Sequence, residues 1–186
     1  MRPLCPQSNF LVPDSTPPRA ILADFCFARV SVSSAGSSSE ERGTPSFMAP
    51  ELLLPTEFGL EKGVPSKEAD VYALGMTIYQ VLTGKRPFLQ KRKARVIRAV
   101  ILGERPAKPE NAEEIGMTDA AWDLLEECWR EDRTMRPDIS EARKSLLNII
   151  KERKTARHQT RRSLSETIFA LEGSSLSGKD SFGWST

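Results

Sequence analysis

The stretch Ala69–Gly84, ADVYALGMTIYQVLTG, decides how the rest of the chain is read. Between Val71 and Leu82 apolar side chains fall nearly all the way round a helical wheel, leaving no broad polar stripe for water. A helix of that composition is stable when neighbours cover most of its faces. The pattern therefore predicts a buried central helix starting near Lys67. Gly84 supplies its stop, because glycine enters the left-handed backbone region that ends a helix without a Cβ clash.

The neighbours that should cover this helix are recognisable by period. KRKARVIRAVILG, Lys91 to Gly103, puts Val96, Ile97, Val100 and Ile101 on one stripe with Lys and Arg opposite, the pattern of a surface helix. RPAKPENAEEIG follows as a loop. Thr118 can cap a helix in which Trp122, Leu125, Cys128 and Trp129 recur at three and four residues. Asp138 and Glu141 match a capping box, opening a helix with Ile139, Ala142, Leu146, Ile149 and Ile150 on its inner face.

From Lys151 onward the composition changes to seven Lys or Arg against four acidic residues, with many serines. Residues 151–186 are expected to form a disordered tail, with a short helix around Glu166 to Leu171. Upstream, NFLV (residues 9–12) and AILADF (20–25) are short apolar runs split by PDSTPPR, which predicts a two-stranded hairpin. Ser31 to Arg42 has no large apolar residue after Val32 and is expected to be a mobile loop.

Composition limits the function classes. The 186 residues are 39% hydrophobic and 28% charged, enough for one core with an appendage. With 27 basic against 25 acidic residues, no global field argues for nucleic acid or an anionic membrane surface. No stretch approaches the roughly 18 apolar residues of a membrane span. Cys5, Cys26 and Cys128 lack metal-ligand spacing, and an odd count without a secretory segment fits a reducing compartment. The expected location is intracellular and cytoplasmic. His158 stands alone in the basic tail, so no triad or metal site can be built on it.

Four separated pieces share one explanation: SNFLV (8–12), ADFC (23–26), GTPSFMAPE (43–51) with ADVYALG (69–75), and CWREDRTMRPDI (128–139). In this order and spacing they resemble the C-terminal lobe of a protein kinase, and the last piece resembles the tyrosine-kinase-like group. The likeness runs from about Ser8 to Leu147. It implies a protein-kinase-like α+β fold, mainly helical with a short hairpin near the N-terminus. Residues 1–150 would form a partial kinase domain, from a catalytic-loop remnant to the last helix, and 151–186 the tail.

The resemblance also implies site residues. Asp24 would hold magnesium against nucleotide phosphates, and Asn9 a second magnesium, both by hard oxygen ligands. Read without the resemblance, Asn9 can hydrogen-bond its own loop and Asp24 can cap a turn. ATP and magnesium are the implied cofactors, and a protein substrate, a partner protein or a partner kinase the implied partners. Gly43 and Thr44 match the segment facing the acceptor residue in serine/threonine kinases. Ala49, Pro50 and Glu51 match the motif whose glutamate pairs with the arginine at Arg136. Asp70 matches an aspartate that hydrogen-bonds the catalytic-loop backbone, and a plain helix N-cap fits the same position.

Several positions depart from the family pattern. The catalytic aspartate, five residues before the magnesium asparagine, maps to Leu4, which cannot accept a proton. Arg2, Pro3 and Pro6 replace the loop's histidine, arginine and lysine, and Cys26 replaces a glycine. The serines between Ser31 and Ser39 occupy the activation segment, where phosphate could pair with arginines. In RRSLS, Arg162 stands three residues before Ser165, as in a basophilic phosphorylation site. The sequence contains no Gly-rich loop or phosphate-contacting lysine ahead of these motifs. The expectation is a chain that is inactive alone and exposes apolar surface at the missing contacts; the alternative is a non-catalytic pseudokinase scaffold.

Overall fold

The computed structural model describes residues 43–175 continuously, and before them Arg2–Pro3, Phe10–Val12, Asp14, Thr16, Arg19 and Ile21–Leu22; side chains are described at residues 43–166 and at Asp14, Thr16, Arg19 and Ile21. The chain divides into two compact units, Met1–Gly43 and Thr44–Thr186. In the first, β2 (Phe10–Val12) pairs antiparallel with β3 (Ile21–Leu22), with Phe10 opposite Leu22 and Leu11 opposite Ile21. This is the expected hairpin. An unexpected β1 (Arg2–Pro3) adds a third antiparallel strand, with Arg2 opposite Val12. Two residues including a proline carry no strand signal, and proline is tolerated here because β1 is an edge strand. The expected Ser31–Arg42 loop lies outside the described residues.

The second unit is helical and is built around α2 (Lys67–Thr83). Its Ser66 cap accepts a hydrogen bond from the Ala69 N–H at 3.2 Å. At the other end Gly84 takes φ 67° and its N–H donates to the Gln80 carbonyl at 2.8 Å. Ala69, Val71, Tyr72, Gly75 and Met76 are buried. The last turns emerge from the core, with Val81 66% exposed, so the helix is less enclosed than its all-round apolar sequence predicts.

Before α2 the chain makes a 3-10 turn (Pro45–Phe47), the one-turn α1 (Pro50–Leu53) and a second 3-10 turn (Pro55–Phe58). After it come α3 (Lys93–Ile101) and α4 (Asp119–Cys128). α3 turns Val96, Ala99 and Val100 inward and leaves Ile97 and Ile101 half-buried. Thr118 caps α4 by accepting from the Ala121 N–H at 3.2 Å, and Ala121, Leu124, Leu125 and Cys128 are buried. α4 lies against α2 so closely that Gly75 has no space for a side chain. A Cβ there would sit 2.5 Å from Trp129 Nε1 and 2.8 Å from Cys128 Cβ. Trp129 in turn meets Tyr79 and Trp122 edge-on, with ring centroids 6.0 and 5.6 Å away.

α5 (Ile139–Ser175) opens with the expected capping box: Asp138 Oδ1 accepts from the Glu141 N–H and Glu141 Oε2 from the Asp138 N–H, both at 2.9 Å. Ala142 and Ile149 are buried and Leu146 is half-buried. Ile139, at the first position, is 56% exposed and Ile150 is also exposed, which narrows the inner face the sequence predicts. The expected disordered tail differs more. The chain from Lys151 to Ser175 continues as helix. From Ile139 to Leu171 no Gly or Pro interrupts it, Lys, Arg and Glu are good helix formers, and Arg162 pairs with Glu166 at 2.9 Å across one turn. The compositional change at Lys151 marks where full burial ends among the described side chains, not where the helix ends, and residues 176–186 lie outside the described residues.

A Gly75→Ala substitution tests the α2–α4 contact. Alanine gains up to about 1 kcal/mol of helix propensity, but overpacking costs typically about 1–3 kcal/mol. Because the obstruction is partly Cys128 Cβ, which cannot swing away, urea unfolding should show a net loss of stability. A net gain would mean that the helices are not in close contact.

Candidate functional site

The segment following the first unit changes abruptly from exposed to buried. Gly43 takes φ 112°, a region side chains rarely enter, and Thr44 follows extended at φ −98°, ψ 111°. Both are exposed. Within seven residues of Gly43 the chain has buried Ser46, Ala49 and Pro50, and Pro50 starts α1, where its missing N–H costs nothing.

Glu51 follows, 1% exposed, and meets Arg136, which is 6% exposed and lies between the Arg133–Met135 turn and α5. Arg136 Nη1 donates to Glu51 Oε1 at 2.7 Å and Nη2 to Oε2 at 2.9 Å, a two-point bond between planar groups. Nη1 also donates to the Glu68 carbonyl at 3.0 Å, Nη2 to the Glu131 carbonyl at 3.4 Å and Nε to the Arg130 carbonyl at 2.9 Å. A guanidinium has five N–H groups, and all five are used. The arginine thus fastens α1, the first turn of α2, the segment after α4 and the start of α5 to one another.

Tyr72 of α2 closes one side of this centre. Its ring lies 5.2 Å from the Arg136 guanidinium carbon and 5.3 Å from that of Arg105. Arg105 is itself held by the Trp129 carbonyl at 2.9 Å from Nε and by the Val100 and Glu104 carbonyls from Nη1. Burial pushes the Tyr72 hydroxyl up to about 12, with the two arginines pulling the other way, and the oxygen has no hydrogen-bond partner among the described residues. Burial also pushes the Cys128 thiol up to about 12. A thiol so protonated is a packing group, not a nucleophile.

Sequence reasoning missed Tyr72 and Arg105. The available signal for Arg105 was the Arg-Pro dipeptide repeated in the helical unit, at Arg86, Arg105 and Arg136. Proline holds the preceding residue extended, so each arginine is fixed to reach sideways from its chain. Asp70 also differs from one of its two sequence readings. Ser66 caps α2, while Asp70 lies exposed in the first turn, its carboxyl held above the usual range by partial desolvation. Leu4, Asn9, Asp24 and Cys26 lie outside the described residues.

A family description, Protein kinase domain, matches residues 6–147. The chain belongs to the protein kinase family. This kinase chain is similar to the serine/threonine-protein kinase STY46 of Arabidopsis thaliana, at 34% identity over 70% of this chain and 21% of that protein. It is also 34% identical to the serine/threonine-protein kinase mos of Patiria pectinifera, over 72% of this chain and 36% of that protein. The dual specificity protein kinase shkC of Dictyostelium discoideum is 31% identical, over 60% and 20% respectively. The chain thus spans between a fifth and somewhat over a third of these relatives. Its helical unit is the C-terminal lobe of a kinase domain, and the family as a whole uses ATP and magnesium and acts on proteins. Among the described residues no three His, Cys, Asp or Glu side chains gather as a metal site, and no helix is long and apolar enough to cross a membrane.

Two outcomes test this centre in the kinase chain. Arg136→Met strands the Glu51 carboxylate in the interior and should cost about 3–5 kcal/mol in chemical denaturation, with partial recovery in Glu51→Leu/Arg136→Met. No recovery in the double variant would show that the backbone bonds, and not the orphaned charge, dominate the loss. The second concerns alkaline pH. The folded state holds the protons of Tyr72 and Cys128 while the unfolded chain releases them, so the unfolded state binds fewer protons and stability falls as pH rises. The fall starts near the ordinary values of 9 for Cys128 and 10 for Tyr72 and continues to about 12. Cys128→Ala should flatten the lower part of that fall in melting temperatures measured from pH 8 to 11.

Proposed function

We propose that this chain is the substrate-binding C-lobe of a serine/threonine kinase of the tyrosine-kinase-like group, and that the 186 residues by themselves do not transfer phosphate. The observation that carries the platform role is the saturated Glu51–Arg136 centre. It fixes the buried end of the segment whose exposed start is Gly43-Thr44, and a substrate segment must be held at one end to present itself at the other. The serine/threonine assignment is supported by Thr44 and by the relatives STY46 and mos. Asp70, partly desolvated at the start of α2, is suited to receive backbone donors of a catalytic loop.

Asn9 and Asp24 are the residues we assign to magnesium, which supplies charge neutralisation for the nucleotide phosphates when bound. The position that takes up the acceptor's proton in the family is the one we assign, by its spacing from Asn9, to Leu4. Phosphoryl transfer relies on base, metal ligands and a phosphate-contacting lysine acting together, and a hydrocarbon side chain at the base position can neither accept nor orient a proton. Transfer therefore requires completion by a small lobe and a catalytic-loop aspartate.

The test is transfer of labelled phosphate from ATP with magnesium to mixed serine, threonine and tyrosine peptides. The 186-residue chain should incorporate no label above its Asp24→Ala variant, and incorporation that Asp24→Ala abolishes would overturn the inactivity. A chimaera in which the small lobe and catalytic loop of an active kinase precede Ser8 should label serine and threonine but not tyrosine. Tyrosine labelling by that chimaera would refute the assigned specificity.

A further inference from the structure

The residues Lys85 to Arg98, KRPFLQKRKARVIR, include seven Lys or Arg and no acidic residue. The remaining chain holds 20 basic against 25 acidic residues, and its other basic run, Lys151 to Arg162, has six Lys or Arg with one glutamate among them, so the Lys85–Arg98 stretch carries the larger cationic surplus. The stretch leads into and forms most of α3, and α3 packs against the Pro45–Phe47 turn and against α1. The strongest positive patch of the helical unit therefore stands beside the segment that starts at Thr44.

The arginines of this stretch are poorly satisfied within the molecule. Lys91 pairs with Glu104. Among the described residues Arg92, Arg95 and Arg98, all exposed, make no ion pair and the buried Nε of Arg86 finds no acceptor. The helix end makes the surplus worse. The first turn of α3 has no acidic residue and its Arg92 cap accepts nothing through its side chain. The positive end of the helix dipole thus coincides with the cationic side chains of Arg92 and Arg95, an arrangement that a nearby anion relieves. A solvated face needs only water, but it gains nothing from excluding every carboxylate over fourteen residues.

We propose that the α3 surface selects acidic protein substrates: segments in which the serine or threonine presented at Thr44 is followed or preceded by a cluster of Asp and Glu. The inference deepens the platform reading and rests on it. An acidic cluster several residues long carries an extended peptide well beyond Thr44, at about 3.3 Å per residue, and α3 is the neighbouring element that packs on the Pro45–Phe47 turn. Attraction of this kind raises encounter rate and discriminates against basic segments more than it raises absolute affinity. Salt weakens it, with a screening length of about 8 Å at physiological ionic strength.

The experiment is fluorescence anisotropy with the 186-residue chain at two ionic strengths. The probes are a labelled serine peptide flanked by six Asp and Glu, the same peptide with Asn and Gln, and a single-stranded oligonucleotide of equal charge. The acidic peptide should bind at least tenfold more tightly than the neutral one at low salt, and should lose most of that advantage at high salt. Arg92→Gln/Arg95→Gln/Arg98→Gln, at exposed positions, should erase the difference with little change in melting temperature. Arg157→Gln/Arg161→Gln in α5 should leave it intact. Equal binding of acidic and neutral peptides, or loss from the α5 variant and not the α3 variant, overturns the proposal. Tighter binding of the oligonucleotide than of the acidic peptide overturns it in favour of a nucleic-acid surface. Because binding is read without phosphate transfer, these results stand apart from the labelling experiment.

Discussion

Arg136 is the point on which the helical unit depends. Five N–H groups in a rigid plane meet five oxygens on four residues from three separate parts of the chain, two of them on one carboxylate. Burying a guanidinium is costly because its hydration must be replaced in full, and most buried ion pairs recover that cost only when geometry and hydrogen bonding are complete. Here they are complete. The consequence is specificity of arrangement: no single segment can shift by an ångström without leaving a buried donor unmatched. Lysine could not substitute, since its three donors radiate from one atom and cannot form the planar two-point bond to Glu51.

Around that polar centre the packing is aromatic and tight. Tyr72 covers the guanidinium, and two turns further along α2 Tyr79 meets Trp129, which also touches Trp122. Gly75 lies between these contacts, and its lack of a side chain is what brings α4 within reach. Trp129 therefore belongs to both systems: its indole fills the space over Gly75 while its carbonyl orients Arg105 toward Tyr72. The polar and apolar parts of the core are held by the same few residues.

The sequence makes some of this legible and hides the rest for identifiable reasons. The central helix, its Gly84 stop, the Thr118 cap and the Asp138–Glu141 capping box are readable because each is a local rule with a short range. The family likeness is readable because four motifs keep their order and spacing. Tyr72 and Arg105 are not, since a cation over a ring depends on residues 33 positions apart that no local pattern links. The continuation of α5 is masked because its charge and serine content resemble those of a disordered tail, while the absence of helix breakers is the quieter and more decisive signal. The emergence of Val81 and Ile139 from the core is equally invisible: periodicity fixes which face a side chain is on, not how far the neighbouring helix extends over it.

The helix that carries Ile149, the last buried residue of α5 among those whose side chains are described, does not end with its packing. From Ile150 to Glu166 it rises about 24 Å, at 1.5 Å per residue, with nearly every side chain in water. Arg153 still touches the body, lying over Gly116 where even a methyl group would collide with it. A strut of that kind transmits angle as well as distance. Each added or deleted residue would turn everything beyond it by about 100° around the axis and move it by about 1.5 Å, so the direction in which Arg161, Arg162 and Ser165 face is set by the length of the chain before them. Those residues therefore stand at a fixed bearing from the body of the helical unit.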